Sequence, residues 1–230
     1  TGALYTNTTA SSNTAVGYSA LLANTTGALN SALGTDALLA NTTGADNVAI
    51  GAAAMKTNTT ASNNTAVGRS AFRLNTTVGY NALEANTTAD NNTAVGTSAL
   101  VANTEGHSNT SVGMNSLKDN TTGDSNTAVG RECLDNNTTA NNNTAIGHMA
   151  AFTNTTGADN TATGYQALYL NTTGANNTAV GKGALYANTT ANDNVSVGEQ
   201  SLKANTTGAE NTAVGQNALQ ANTTASYNTA

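Results

Sequence analysis

"NTAVGYSALLANTTGAL", residues 13–29, is followed directly by "NSALGTDALLANTTGAD", residues 30–46. The second stretch restates the first seventeen positions later. Numbered from its leading asparagine, the unit reads N-T-A-V-G-x-x-A-L-x-x-N-T-T-(G/A)-x-x. The fifth-position glycines run from Gly17 to Gly215 at intervals of seventeen, apart from one interval of eleven between Gly68 and Gly79. A fixed period near twenty marks a solenoid, whose units are too small to bury themselves and rely on their neighbours. No three-to-four apolar spacing runs along the chain, and Asn, Thr and Gly are poor helix formers. The expected fold is therefore all-β: a parallel β-solenoid of seventeen-residue coils. Residues 1–230 read as a single continuous array of about 13 coils. Its expected length is about 60 Å, at the ~4.8 Å spacing of paired strands.

Composition is consistent with order by stacking. Leu, Ile, Val and Phe make up only roughly 14% of the chain, below the about 20% at which disorder is the usual reading. Disordered chains, however, repel themselves, and here 9% of residues are charged, with a net charge of −6. The large apolar residues also recur at one spacing. Seven Lys and Arg residues, thinly spread, exclude the basic footprint of a nucleic-acid binder. No apolar run approaches the ~20 residues of a membrane helix, so no membrane contact is expected of this segment. Both ends fall in mid-repeat, and the chain reads as a window on a longer fibre.

Within the unit, the second position is mostly Thr and the fourth Val, Leu or Ile, which suits one face of a pleated strand. The third position, on the opposite face, is Ala or Ser except at Thr77. The eighth is also small, and the ninth is usually large, so a second short strand is expected around positions eight to ten. Each coil then holds only about two large apolar side chains, so a lone roll would be marginal. Both strand faces read as buried, which calls for a homotrimer stacking fourth- and ninth-position residues such as Val95 and Leu100 in its core.

The twelfth position carries Asn24, Asn41, Asn58, Asn86, Asn103, Asn120, Asn137, Asn154, Asn171, Asn188, Asn205 and Asn222. Stacked in register, these would form a structural amide ladder. At the short interval, Asn75 serves as the twelfth position of one unit and the first of the next. A local defect is expected between Arg69 and Val78.

Catalytic and metal chemistry are not evident. His107 and His148 stand alone in turn positions, and Cys133 takes the small eighth position, where packing explains it. Asp46, Asp90, Asp124, Asp159 and Asp193 read as solvated turn formers. "GKG" at 181–183 lacks the rest of a phosphate loop. No enzyme, cofactor or metal is expected. One candidate binding surface remains: Phe152, Tyr169 and Tyr186 fall at the tenth position of three successive coils, with Tyr165 on a nearby turn. Such an aromatic column could contact a glycan or a protein receptor.

"NVAIG" at 47–51, "NVSVG" at 194–198 and the many "NTAVG" copies resemble the signature of YadA-like trimeric autotransporter adhesin heads. "ATGYQALYLNTTGANNTAVG" at 162–181 is also similar to repeats in phage tail fibres and large bacterial surface proteins. The resemblance implies left-handed coils, trimeric association and adhesion at a bacterial cell surface, or host recognition in a virion tail fibre. A third class, ice binding, would need a flat two-wide threonine array. The adjacent corner threonines would face opposite sides and do not provide one.

Overall fold

The computed structural model describes residues 2–60, 62, 64–71, 76–86 and 89–230. Within them lie 13 three-residue strands and no helix, from β1 (Thr14–Val16) to β13 (Thr212–Val214). All join one parallel sheet in chain order, so every coil adds one strand directly beside the last. Register follows the repeat: Thr14 pairs with Ser31, Ala15 with Ala32 and Val16 with Leu33. The protein is a parallel β-solenoid.

Strand burial alternates as a two-residue period requires. Third-position residues such as Ala49, Ala94 and Ala145 are buried, and the second and fourth positions face outward. Eighth-position alanines and ninth-position leucines, including Leu38, Leu100 and Leu185, complete the interior. This corrects the expectation that Val95 and Leu100 share a core. They lie on opposite sides of the strand wall, Leu100 fully buried and Val95 half-exposed outside it.

The second strand does not form. Positions five to twelve are a run of overlapping tight turns: Ala37 N–H donates to Gly34 O (3.3 Å), Leu39 to Asp36 (3.3 Å) and Asn41 to Leu38 (3.2 Å). Seventh- and ninth-position residues take left-handed backbone angles, with φ of 57° at Asp36 and 51° at Leu38. Alternating left-handed residues coil the chain too tightly for a pleat. The strain, about 1–2 kcal/mol for a residue with a Cβ, is offset at the ninth position by complete burial of leucine. The turns are still laddered between coils, as in Leu38 N–H to Ala54 O (2.9 Å) and Ala40 N–H to Lys56 O (3.1 Å). At the fifth position no side chain fits: Gly164 has φ of 133°, and a Cβ there would stand 2.7 Å from the carbonyl carbon of Gly181.

The twelfth-position asparagines form the expected ladder. Asn41 Nδ2 donates to Asn24 Oδ1 (2.9 Å), Asn120 to Asn103 (2.8 Å), Asn137 to Asn120 (2.9 Å) and Asn222 to Asn205 (2.9 Å). A second ladder runs through the first-position asparagines. Asn13 Oδ1 accepts the backbone N–H of Asn30 (2.9 Å), while Asn30 Nδ2 donates to Gly44 O at the far end of its own unit (2.8 Å). Asn41 Nδ2 donates to the same Gly44 carbonyl (2.9 Å), so the two ladders converge on the fifteenth position. A thirteenth-position hydroxyl adds a third contact, as in Thr25 Oγ1 to Thr42 O (2.9 Å).

Across the short unit the strand wall stays in register. Ala66 pairs with Thr77 and Val67 with Val78, joining β4 (Thr65–Val67) to β5 (Thr76–Val78). The missing six residues are therefore all taken from outside the strand. Phe72 to Asn75, where the expected defect centres, lie outside the described residues. Beside the short unit, the buried Oδ1 of Asn86 accepts no hydrogen bond.

Replacing Asn137 by Ala removes donors to Asn120 Oδ1 and Ala140 O and the acceptor for Asn154 Nδ2. Leaving the buried Asn120 Oδ1 without a donor, and taking one of two bonds from Ala140 O and from Asn154 Nδ2, is expected to cost about 2–4 kcal/mol. Denaturant titration should show this loss, while Thr139→Ala, on the exposed neighbouring corner, should change stability by less than about 0.5 kcal/mol.

Candidate binding surface

The turn side of each coil presents its sixth, seventh and tenth positions, which the ladders do not use. At the tenth position the column reads Lys118, Asp135, Phe152, Tyr169, Tyr186, Lys203. Phe152 and Tyr169 stack with centroids 5.5 Å apart and planes 12° from parallel; Tyr169 and Tyr186 stack at 5.1 Å and 15°. Behind the rings, Thr153 N–H donates to Tyr169 O (3.1 Å) and Leu170 N–H to Tyr186 O (3.0 Å). The rings are thus held at the coil spacing by their own backbone. Tyr165 belongs to a separate column at the sixth position, where it meets the His148 ring at 5.6 Å and 44°. All four aromatics are brought to one side of the rod, but only three form the stack.

Between the two columns lies an open groove of about 360 Å³, walled by Tyr165 and Tyr186 and floored by Gly183. Lys203 lines its far side. The groove is not evident from the repeat itself. Its signal in sequence is a departure: Gly183 occupies the seventh position, where the other coils carry side chains such as Gln166 and Gln200.

Charges beside the column are unevenly matched. Lys182 Nζ lies 3.2 Å from Glu199 Oε1 in the next coil. Asp135 is buried, with Lys118 Nζ 4.0 Å from Oδ1. Burial pushes its carboxyl up to about 6, against the pull of Lys118. His107, read from sequence as isolated, sits between two aspartates: Nδ1 is 2.6 Å from Asp90 Oδ1, and its backbone N–H donates to Asp124 Oδ1 (2.6 Å). Cys133 is buried and its thiol is pushed up to about 12 by burial, consistent with a packing role. Among the described residues, no three His, Cys, Asp or Glu side chains gather as metal ligands. Most asparagines of the corner N-T-T triplets, such as Asn41 and Asn137, are buried with their amides bonded, so glycosylation of these would require unfolding.

No family model, curated protein or solved structure matches the chain.

The Asp135 carboxyl gives a pH signature. Its folded value lies above the ordinary 3.8, so the folded chain holds this proton more tightly than the unfolded one. Its contribution to stability is fully present below that ordinary value and is lost as pH rises through about 6. Asp135→Asn is therefore expected to raise stability at pH 7.5 by about 1–2 kcal/mol and to leave it unchanged at pH 3.5. Thermal melts of both proteins across that range test this.

Proposed function

We propose that the chain is a segment of an extracellular homotrimeric fibre that mediates attachment to cells or surfaces, with left-handed coils and no catalytic role of its own. The observation that carries this reading is the outer strand wall. Its fourth-position column runs Val16, Leu33, Ile50 and onward to Val214, and a single chain leaves it open: Leu33 is 50% exposed and Ile146 43%. Neither the second nor the fourth position carries a charge in any coil. An uncharged stripe of this length, apolar at every coil except Thr163, calls for a covering surface. A copy of the same chain, in register about a threefold axis, supplies one at every coil. The turn side stays free in such an assembly and offers the aromatic column to a host-surface glycan or protein receptor. This reading covers a bacterial surface adhesin and a phage tail-fibre shaft alike, because the same wall and the same turn side serve both.

One feature favours a second reading. The strand wall sets an outward Thr column beside the apolar one, as at Thr127 and Val129, so a two-wide regular array exists on the strands although not at the corners. On a monomer, this flat uncharged face would suit ice binding.

Sedimentation equilibrium separates the two. The fibre reading expects a species of about three times the 22.8 kDa chain mass, dissociated by Val95→Lys with Val129→Lys while the β signal in circular dichroism persists. A stable monomer that inhibits ice recrystallisation would replace it with the second reading. For attachment, Tyr169→Ala with Tyr186→Ala should reduce binding to host cells at least tenfold and leave the trimer intact. Unchanged binding would make the column purely structural.

A further inference from the structure

We propose that the groove between Tyr165 and Tyr186 is a binding site for a carboxylated saccharide; this names the ligand class of the attachment role above and rests on it. The groove is made by an absent side chain. Elsewhere the seventh position is occupied, and its backbone is left-handed in every coil: φ is 53° at Gln166, 63° at Gly183 and 58° at Gln200. Gly183 therefore has the backbone of its neighbours, and a Cβ on it would meet only Gln200 Cγ, at an ordinary 3.8 Å. No close contact demands glycine here, and the flanking coils carry side chains on the same left-handed backbone, in contrast to Gly181, where an added Cβ would stand 2.6 Å from the carbonyl carbon of Gly198. What the glycine provides is space. That space, about 360 Å³, falls in the lower part of the about 300–1,000 Å³ range of small-ligand sites.

The lining selects the chemistry. Tyr186 ends the aromatic stack, with Tyr169 against one face and a groove against the rest of the ring. A pyranose laid on it presents C–H groups to the electron-rich ring. Gln200 Oε1 accepts from Gln220 Nε2 (2.9 Å), which leaves the Gln200 amide N–H groups uncommitted among the described contacts and suited to sugar hydroxyls. Of the two lysines, Lys182 is neutralised by Glu199 (3.2 Å), whereas Lys203 has no ion pair among the described residues. One uncompensated cation beside an aromatic wall matches one carboxylate on a sugar ring. The match is local, since the chain as a whole carries −6, so the attraction comes from contact rather than long-range steering.

Titration calorimetry of the assembled protein with 3′-sialyllactose, a hyaluronan tetrasaccharide and neutral lactose tests the assignment. At least one carboxylated sugar is expected to bind tenfold or more tightly than lactose. Gly183→Gln, which restores the side chain of the flanking coils, should abolish binding while lowering the melting temperature by no more than a few degrees, the cost of one residue with a Cβ in the left-handed region. Lys203→Gln should remove the preference for the carboxylated sugar without removing weak binding of the neutral one. Equal binding of all three sugars, binding unaffected by Gly183→Gln, or no binding at millimolar concentration would overturn the proposal. Cell attachment measured in parallel keeps the two readings apart. Attachment that survives Gly183→Gln leaves the fibre reading standing without this ligand, and sugar binding without attachment does the reverse.

Discussion

In most coils two asparagine amides donate to one carbonyl, and the rest of the molecule is arranged around that junction. Asn30 Nδ2 and Asn41 Nδ2 both reach Gly44 O, at 2.8 and 2.9 Å, from the first and twelfth positions of one unit. A buried primary amide is costly unless its donors and acceptor are bonded, and here each amide is bonded to its own coil and to the next. The bonds are made only if every coil returns to the same height with the same phase. That is a strong reason for the seventeen-residue period. A one-residue insertion between the first and twelfth positions would separate amides that must stack about 4.8 Å apart. The ladders also keep the fifteenth residue small: at Gly157 an added Cβ would stand 2.7 Å from Asn154 Oδ1. Ala140 and Ala191 are accommodated at the same place, where their carbonyls still accept two amides each.

With polar groups carrying the register, the apolar interior can be narrow. Small third- and eighth-position residues let the strand wall approach the turn wall, and one leucine per coil fills the remainder. Where the small residue is polar, its partner answers it. Ser196 Oγ lies 2.5 Å from Ser201 Oγ and donates to Ser201 O at 2.8 Å; Ser111 and Ser116 form the same pair. Each pair sits at the third and eighth positions of one coil, facing across the interior. Thr77 breaks the pattern, since its eighth-position partner is Ala82 and its buried hydroxyl has no hydrogen bond. It stands in the unit directly after the short one, where the ladder is interrupted at Asn86.

This explains which features could be read from the chain. The period, the strand at positions two to four, the small faces and the twelfth-position ladder follow from spacing and side-chain size. The turn wall did not, because an Ala-Leu pair followed by mixed residues has the same pattern in a short strand and in a run of turns. The sign that tells them apart is the seventh position, where Asp36, Asn81, Asn115, Gly183 and Asn217 are of the types that tolerate left-handed backbone. The first-position ladder was hidden for a related reason. An asparagine before a strand reads as a turn former, and its second role appears only when the next coil is set beneath it. The aromatic stack was legible because rings at one position in successive coils must meet. The groove was not, because a cavity depends on what three neighbouring coils fail to fill.

The distribution of variation across the coil follows from the same geometry. Positions that bond, pack or turn are nearly fixed from coil to coil. Of the remaining ones, the second and fourth stay Thr-like and Val-like along the whole rod, although the single chain leaves them open to solvent. The sixth, seventh and tenth change freely, through arginine, histidine, tyrosine and lysine. A surface that meets another copy of itself in register sees the same neighbour at every height, so each coil is under the same requirement and the face stays monotonous. A surface that meets a foreign ligand does so at one height only, and a substitution there changes recognition without disturbing the ladders beneath it. The outer wall has the first character and the turn side the second. The aromatics, the unpaired Lys203 and the missing side chain of Gly183 all fall on the turn side, where the fold permits local chemistry.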